Sequence, residues 1–307
     1  MDHFLKGLCS LPCNHTSYLT MPENMNSIIL DRDHADMLDR FLLHRAENSL
    51  ILLSNSRAAG LVDRGAILQG TYAAFIADGE ITGVAAHYWN GMIFLQAPDD
   101  PFALVSAALA ASGRECTGIT GPYEQVQNVL RGFLKTRPHP SFDSRDLLLS
   151  LDLDTLITPE LLHGGGMTCR KPSDDEVPAL VAMRIAFMQE HLGRALPPAM
   201  EREARNLVAW QQQTGNHWIL ETGGAIVATT AVSTGINGMV QVGGVFTLPE
   251  FRNRGFGRAV VAGSLLSLRE HGVKRAILFT GQDMPAARRI YAALGFRQIG
   301  EYGLVIF

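Results

Sequence analysis

The sequence has little of what marks several large protein classes. Cysteines number four among 307 residues, and charged residues make up 18%. Positive charge is not in excess, since 26 Lys and Arg stand against 30 Asp and Glu, so a broad nucleic-acid surface is not expected. No apolar run reaches the roughly 18 residues that a membrane-spanning helix needs. We therefore expect a cytoplasmic globular protein with neither a nucleic-acid nor a membrane partner.

The scarcity of cysteine also bears on metals and on cell compartment. The cysteines are Cys9, Cys13, Cys116 and Cys169. Cys9 and Cys13 could form half of a metal site, but no second pair with ligand spacing follows, so no metal is expected. Free thiols are typical of the cytoplasm. The apolar stretch within residues 1–26 is short and interrupted by Lys6, which favours a poorly ordered leader over a signal peptide.

What the sequence does contain is a pattern that occurs twice. Asp78-Gly79 and Asn90-Gly91 lie between β-branched, apolar runs, and Gly223-Gly224 and Asn237-Gly238 lie between similar runs later in the chain. Such turns predict antiparallel hairpins. We interpret the repetition as an internal duplication of an α/β domain with a mixed sheet (α+β), although a coincidence of common hairpin turns is the alternative. The predicted division is 27–157, a linker at 158–166, and 167–307.

The second half contains a glycine loop where a helix is predicted to begin. A strand pattern at Met239–Phe246 is followed by the run from Pro249 to Arg258 and then by a helical pattern that ends near Gly272. Helix N-termini present unpaired backbone N–H groups, and glycines allow an anion to approach them closely. Three arginines around two glycines make phosphate the natural ligand. The loop is neither a Gly-x-Gly-x-x-Gly fingerprint nor a P-loop.

A second motif, Ala287-x-x-x-Tyr291-x-x-x-Gly295-Phe296, gives the loop a family context. Together the motifs resemble those of the GCN5-related N-acetyltransferase (GNAT) superfamily, over roughly Met167 to Phe307. The C-terminal sequence is similar to that of a two-domain GNAT group from bacteria. One departure is Met284, which stands where the family usually has asparagine.

The resemblance implies a fold of two tandem GNAT-like domains and a co-substrate, acetyl-CoA. It assigns the diphosphate of acetyl-CoA to a loop, and the residues concerned are Arg252, Asn253, Arg254, Gly255, Phe256, Gly257 and Arg258. It places pantetheine along Val245, Phe246 and Thr247, near Met284 and Ala287. Tyr291 would protonate the departing thiolate.

The general base is left open by the sequence. Glu190 and His191 are candidates because they lie on a helix that lines the acceptor pocket in such folds. A water relay, or an acceptor amine that is already neutral, serves equally well. Gln241 lies near a position where some relatives hold a carboxylate, but an amide cannot take a proton.

The first half lacks the residues that carry this chemistry. Its loop reads Pro98-Asp-Asp-Pro101, which would repel a diphosphate, and Asn128 stands where the second half has Tyr291. We therefore expect a degenerate N-terminal domain that supports the substrate side. His163-Gly-Gly-Gly166 resembles an oxyanion loop of lipases, but no Gly-x-Ser-x-Gly elbow occurs, so a flexible linker is favoured.

These observations favour an acetyl-CoA-dependent N-acetyltransferase that acts on a small amine by direct transfer. The alternative is an acyl-CoA-binding regulatory or interaction module without turnover. Two-domain relatives include enzymes that take aminoacyl-tRNA, which the acidic balance of this chain disfavours. A homodimer is kept as an open alternative for its assembly.

Overall fold

A computed structural model describes residues 27–134, 139–192, 198–236 and 238–307. The predicted leader at residues 1–26, with Cys9 and Cys13, lies outside these ranges, as does Asn237 of the Asn237-Gly238 turn. Among the helices of the described ranges, none has the length and apolar character needed to cross a lipid bilayer. The same ranges contain no group of three or more His, Cys, Asp or Glu residues placed to hold a metal ion.

The described part of the first half contains the two antiparallel hairpins that the turn pattern predicts. Its strands are β1 (Ser27–Ile29), β2 (Gly70–Ala77), β3 (Glu80–Tyr88), β4 (Met92–Gln96), β5 (Gly118–Pro122) and β6 (Phe142–Asp152). Its helices are α1 (Ala35–Leu43), α2 (Ala46–Ala59), α3 (Pro101–Ser112) and α4 (Tyr123–Phe133). Gly79 and Gly91, in the turns of the β2-β3 and β3-β4 hairpins, have φ of 78° and 80°, the left-handed conformation that these tight hairpin turns require.

The second half repeats this order of elements. Its strands are β7 (Met167–Arg170), β8 (His217–Thr222), β9 (Ala225–Ile236), β10 (Met239–Thr247), β11 (Arg275–Gly281) and β12 (Arg297–Ile306). Its helices are α5 (Val177–Leu192), α6 (Pro198–Gln213), α7 (Phe256–Glu270) and α8 (Pro285–Leu294). Each half thus contains a strand, two helices, three strands, and then helix, strand, helix and strand, as expected for a duplicated unit.

The strands form one mixed sheet of twelve, in the order β1-β2-β3-β4-β5-β12-β6-β11-β10-β9-β8-β7. The last strand of each half lies beside the fifth strand of the other half, so that β12 pairs with β5 and β6 pairs with β11. The apolar pattern at Leu147 to Leu153 predicts a final strand for the first half, which overlaps β6, but it does not predict this exchange. The predicted boundary near residue 157 separates the two halves along the sequence, but strands of both halves pair within one sheet.

Helices cover both faces of the second half's sheet. Trp218 and Leu220 of β8 belong to the core under α7, whereas Ile219 between them packs with residues of α5 and α6. This follows from the alternation of side chains along a strand. Helix α7 begins after Gly255, contributes fully buried residues such as Val260 and Leu265, and thereby fixes the loop that precedes it.

Candidate active site

Strands β10 and β11 part at the edge where the glycine loop lies. They pair in parallel from Met239 to Gln241 of β10, although both strands continue beyond that point. The register between β10 and β9 also shifts twice, and the second shift skips Gly244 and Val245. Predicted residues Val245, Phe246 and Thr247 therefore line an opening between two strands. An extended ligand can pair with a strand edge of this kind.

The loop leads directly into the N-terminus of α7. Asn253 and Gly255 have positive φ of 61° and 81°, and Ala259 N donates the first helical hydrogen bond, to Gly255 O at 3.0 Å. The amides of Phe256 and Gly257 precede that bond, and no side chain caps the helix. Free amides at a helix start, with left-handed residues before them, form an anion-binding concavity.

Gly257 lets three elements meet at this point. A Cβ on this residue would lie 3.2 Å from Thr247 Oγ1 on β10 and 3.3 Å from Ile290 Cδ1 on α8. Ala287, one turn earlier on α8, packs against the same core. The loop, the end of β10 and α8 therefore form one continuous wall, and a larger residue would push them apart.

Two of the predicted site residues bind each other. Arg252 Nη1 donates to Glu190 Oε1 at 3.0 Å, and Nη2 donates to Oε2 at 2.6 Å. Arg252 Nε donates to Thr247 O at 3.1 Å. The two side chains are 37% and 56% exposed, so water screens the ion pair. Glu190 occupies the donors assigned to the diphosphate, and its role as general base stays a prediction.

The other loop arginines have different surroundings. Arg254 lies over the ring of Phe251 at 5.7 Å. Arg258 Nε is enclosed without a hydrogen-bond partner, and the residue lines a cleft of about 740 Å³ together with parts of the linker. Leu161 of that linker lies so close to the loop that a Cβ on Gly255 would be 2.8 Å from its Cδ1. The linker thus packs over the loop, and the cleft is of a size typical of ligand sites.

Tyr291 lies on α8 and is 7% exposed. Its ring meets Phe296 edge-on at 5.8 Å between centroids. Burial raises the pKa of the hydroxyl to about 12, so Tyr291 is protonated at neutral pH. Met284 forms the N-cap of α8 without a side-chain hydrogen bond, which the family's asparagine could supply. The side chain of His191, the other base candidate, lies outside the described part.

Sequence reasoning missed a polar pocket beside the shifted part of β10. This bulge pocket is lined by Arg184 and Phe187 of α5, His217 of β8, Gly244 and Phe246 of β10, and their neighbours. Burial and the neighbouring Arg184 lower the pKa of His217 to about 4, so the imidazole is neutral at pH 7. The sequence offered one signal for this pocket, which is Arg184 within the apolar pattern of α5. An arginine at such a position does not by itself distinguish a binding site from an ordinary surface residue.

Comparison with known proteins agrees with the motifs. Residues 182–296 match the sequence profile of the Acetyltransferase (GNAT) family. A comparison with curated proteins gave no match.

Solved structures resemble both halves of the chain. A GCN5-related N-acetyltransferase from Sphaerobacter thermophilus is similar with a TM-score of 0.59 and 17% identity, over 93% of this chain and 96% of that one. A tandem GNAT protein from the clavulanic acid biosynthesis pathway has a TM-score of 0.56 and 15% identity, over 91% of this chain and 97% of that one. An acetyltransferase from the GNAT family of Colwellia psychrerythraea has a TM-score of 0.52 and 14% identity, over 92% of this chain and 99% of that one. These likenesses confirm the predicted α/β fold with two GNAT-like halves.

Proposed function

We propose, from the match of residues 182–296 to the Acetyltransferase (GNAT) family, that this chain transfers an acetyl group from acetyl-CoA to an amine of a small molecule. The family uses acetyl-CoA. The observation that carries the proposal is that a gap between two strands and an uncapped helix N-terminus lie next to each other. The parted edge of β10 and β11 lies directly beside the uncapped N-terminus of α7. A strand-like pantetheine and a diphosphate need these two features side by side.

The loop residues bind and orient the co-substrate. The amides at the start of α7 donate to the diphosphate, and Arg252 exchanges Glu190 for phosphate oxygens, replacing one charge-assisted pair by another. Arg258, whose Nε is enclosed and unpartnered, adds a second cation from the first turn of α7. Met284 and Ala287 line the apolar side of the pantetheine track.

The reaction itself requires few groups. Acetyl-CoA supplies a thioester, whose carbonyl carbon forms a bond to the amine nitrogen as the carbon–sulfur bond breaks. A backbone amide of β10 between Val245 and Thr247 donates to the carbonyl oxygen as charge develops there. The thiolate gains a proton from the Tyr291 hydroxyl, and the proton that the nitrogen loses passes to water, from which the Tyr291 phenolate regains one, so that amide and CoA thiol are the products.

The pKa of Tyr291 suits proton delivery to a buried thiolate. A hydroxyl with a pKa of about 12 is a weaker acid than a thiol in water, whose pKa is about 8.5. Burial has the same effect on thiols, as it raises the pKa of Cys169 in this chain to about 12. A thiolate that departs into similarly enclosed surroundings is therefore basic enough to take the proton.

Thermal unfolding with and without acetyl-CoA tests the co-substrate site. Ligand at about 100 times its dissociation constant stabilises a protein by roughly 2.7 kcal/mol, and we expect Arg252→Ala to lose most of this gain. Arg275→Ala is the matched control, because Arg275 is also partly exposed and paired with a glutamate, Glu47, but lies at the opposite end of β11. If neither wild type nor the control is stabilised, the proposal is wrong.

Thiol release separates turnover from binding alone. Wild type with acetyl-CoA should release CoA thiol faster when a suitable amine is added. Stabilisation by acetyl-CoA without amine-dependent release would instead favour a binding module that does not turn over.

A further inference from the structure

The bulge pocket holds an arginine that no carboxylate neutralises. Arg184 Nε is enclosed and makes no hydrogen bond, and the guanidinium lies 5.0 Å from the ring of Phe187. Among the described residues no Asp or Glu pairs with it, and Glu190 on the same helix is taken by Arg252. A half-buried guanidinium with an enclosed, unpartnered Nε and no carboxylate beside it is costly, so the arrangement favours an anion supplied from outside the chain.

His217 presents a hydrogen-bond acceptor to the same pocket. The Thr229 hydroxyl donates to Trp218 O at 3.2 Å, so its oxygen accepts from His217 Nε2, which lies 2.6 Å away. The other ring nitrogen, Nδ1, therefore carries the lone pair. It is enclosed and has no partner. The pocket thus offers a cationic donor and a neutral acceptor next to each other.

The pocket adjoins the place where the acetyl group is transferred. A Cβ on Gly244 would lie 3.5 Å from Arg184 Nη1, and Gly244 and Phe246 belong to the irregular stretch of β10. The free volume between the lining side chains is about 20 Å³, which is room for roughly one water-sized group. A carboxylate oxygen fits this space, while the remainder of the molecule lies over the bulge.

We propose that the bulge pocket binds the carboxylate of the acceptor, so that the acceptor is a small amino acid or a similar molecule with both an amine and a carboxylate. Arg184 donates to the carboxylate, one oxygen of which takes the space in the pocket, and the amine of the acceptor lies over the bulge. The inference rests on the proposed acetyl transfer and names its substrate class.

Steady-state transfer with paired acceptors tests the inference. The full chain is assayed with acetyl-CoA and the common free amino acids, each beside its own carboxamide, which keeps the amine and removes the charge. We expect wild type to prefer the acids, and Arg184→Met to raise KM for the preferred acid by about 10- to 100-fold, the usual loss for a charged hydrogen bond. KM for the carboxamide and for acetyl-CoA should not change.

Arg205→Met is the matched control, because Arg205 lies on the neighbouring helix α6, is 60% exposed, and should leave all constants unchanged. Arg184→Lys, which keeps the charge, should recover part of the preference for acids. Equal use of acids and carboxamides by wild type would overturn the inference while leaving acetyl transfer intact.

A binding measurement keeps the two proposals separable if wild type turns over none of these amines. N-acetylated amino acids, the products of such a reaction, should then stabilise wild type against heat but not Arg184→Met. If they stabilise neither protein while acetyl-CoA still stabilises wild type, the carboxylate pocket is wrong and the co-substrate site stands.

Discussion

The two halves of the molecule share an order of elements but differ at the helix that follows their fourth strand. In the first half, the Asp100 side chain accepts from Ala103 N at 3.1 Å and caps α3, with Pro101 in the first turn. In the second half, α7 begins at Gly255 without any side-chain cap. One helix start has a carboxylate of its own chain beside its free amides, and the other has no side-chain cap and is where we propose that the diphosphate binds.

The two halves also differ in how closely their fourth and fifth strands approach each other, β4 and β5 in the first half and β10 and β11 in the second. A Cβ on Gly121 of β5 would lie 2.7 Å from Leu95 O of β4, so the two strands remain close at this point. At Gly281 of β11 the nearest atom is Asp283 Oδ1, at 2.7 Å, within its own turn. Both strand pairs have three paired residues, but β4 crowds Gly121, whereas no atom of β10 is among the three nearest to Gly281.

Buried polar groups repeat the contrast. Arg114 in the first half is paired with Asp63, although its Nε, like that of Arg184, is enclosed without a hydrogen-bond partner. Both ring nitrogens of the buried His87 have partners, Ser112 Oγ and Gly91 O. Arg184 has no carboxylate partner in the described part of the chain, and His217 has one nitrogen free. The contrast lies in the charge: the half-buried arginine of the first half has a carboxylate of its own chain, whereas none pairs with Arg184 among the described residues.

The largest expected effect comes from the residues that differ on the last helix of each half. Tyr291→Phe removes the proposed proton donor, and removal of a general acid typically slows catalysis by about 100- to 10,000-fold. Amine-dependent thiol release should fall in that range while stabilisation by acetyl-CoA is retained. Asn128→Ala, at the matching position of α4, should leave both unchanged. Equal loss in both variants would contradict an active second half and an inactive first half.

The pH dependence of stability sharpens the contrast between the two buried histidines. Since the pKa of His217 is lowered from 6.5 to about 4, the unfolded chain takes up a proton there before the folded chain does as pH falls. Stability from His217 is therefore present above pH 6.5 and lost toward pH 4, by about 3 kcal/mol on the usual conversion of pKa shifts.

The free energy of unfolding of wild type and His217→Gln, measured at pH 7 and pH 4.5, checks this. The difference between the two proteins should shrink at the lower pH, and a constant difference would contradict it. His87 contributes in the same direction because burial also lowers its pKa, and subtracting the variant removes that contribution.

Glycine substitutions test whether β4 crowds Gly121 more than β10 crowds Gly281. In Gly121→Ala the new methyl group meets a backbone oxygen and Leu95, so we expect about 1 to 3 kcal/mol of destabilisation from overpacking. In Gly281→Ala the nearest atom belongs to a side chain that can turn away, so the loss should be smaller. Chemical denaturation measures both, and acetyl-CoA should stabilise Gly121→Ala as much as wild type. Equal destabilisation by the two changes would contradict the comparison.

The sequence predicted this fold well where the signals were local. Hairpin turns, the glycine loop and the motif around Tyr291 each depend on residues near one another in the chain, and the structure has elements at those places. The exchange of β6 and β12 was not predictable, because it joins strands that are far apart in the chain and no local sequence signal reports such pairing. Arg184 and His217 were missed because an enclosed, unpartnered nitrogen is a property of packing, and no spacing in the sequence reports it.

The smallest expected effect concerns the ion pair between Glu190, a candidate general base, and Arg252, a predicted diphosphate ligand. Glu190 and Arg252 are partly exposed, so breaking their pair should change affinity by less than about 1 kcal/mol. Glu190→Gln frees Arg252 for the diphosphate, and we expect acetyl-CoA to bind a few-fold more tightly by calorimetry, with little change in kcat.

A different result would identify another role for this side chain. If Glu190→Gln lowers kcat by 100-fold or more with unchanged affinity, Glu190 is the general base, because that size of loss is typical of a lost proton acceptor. The two outcomes are separable because an exposed ion pair acts on binding, whereas a base acts on the chemical step.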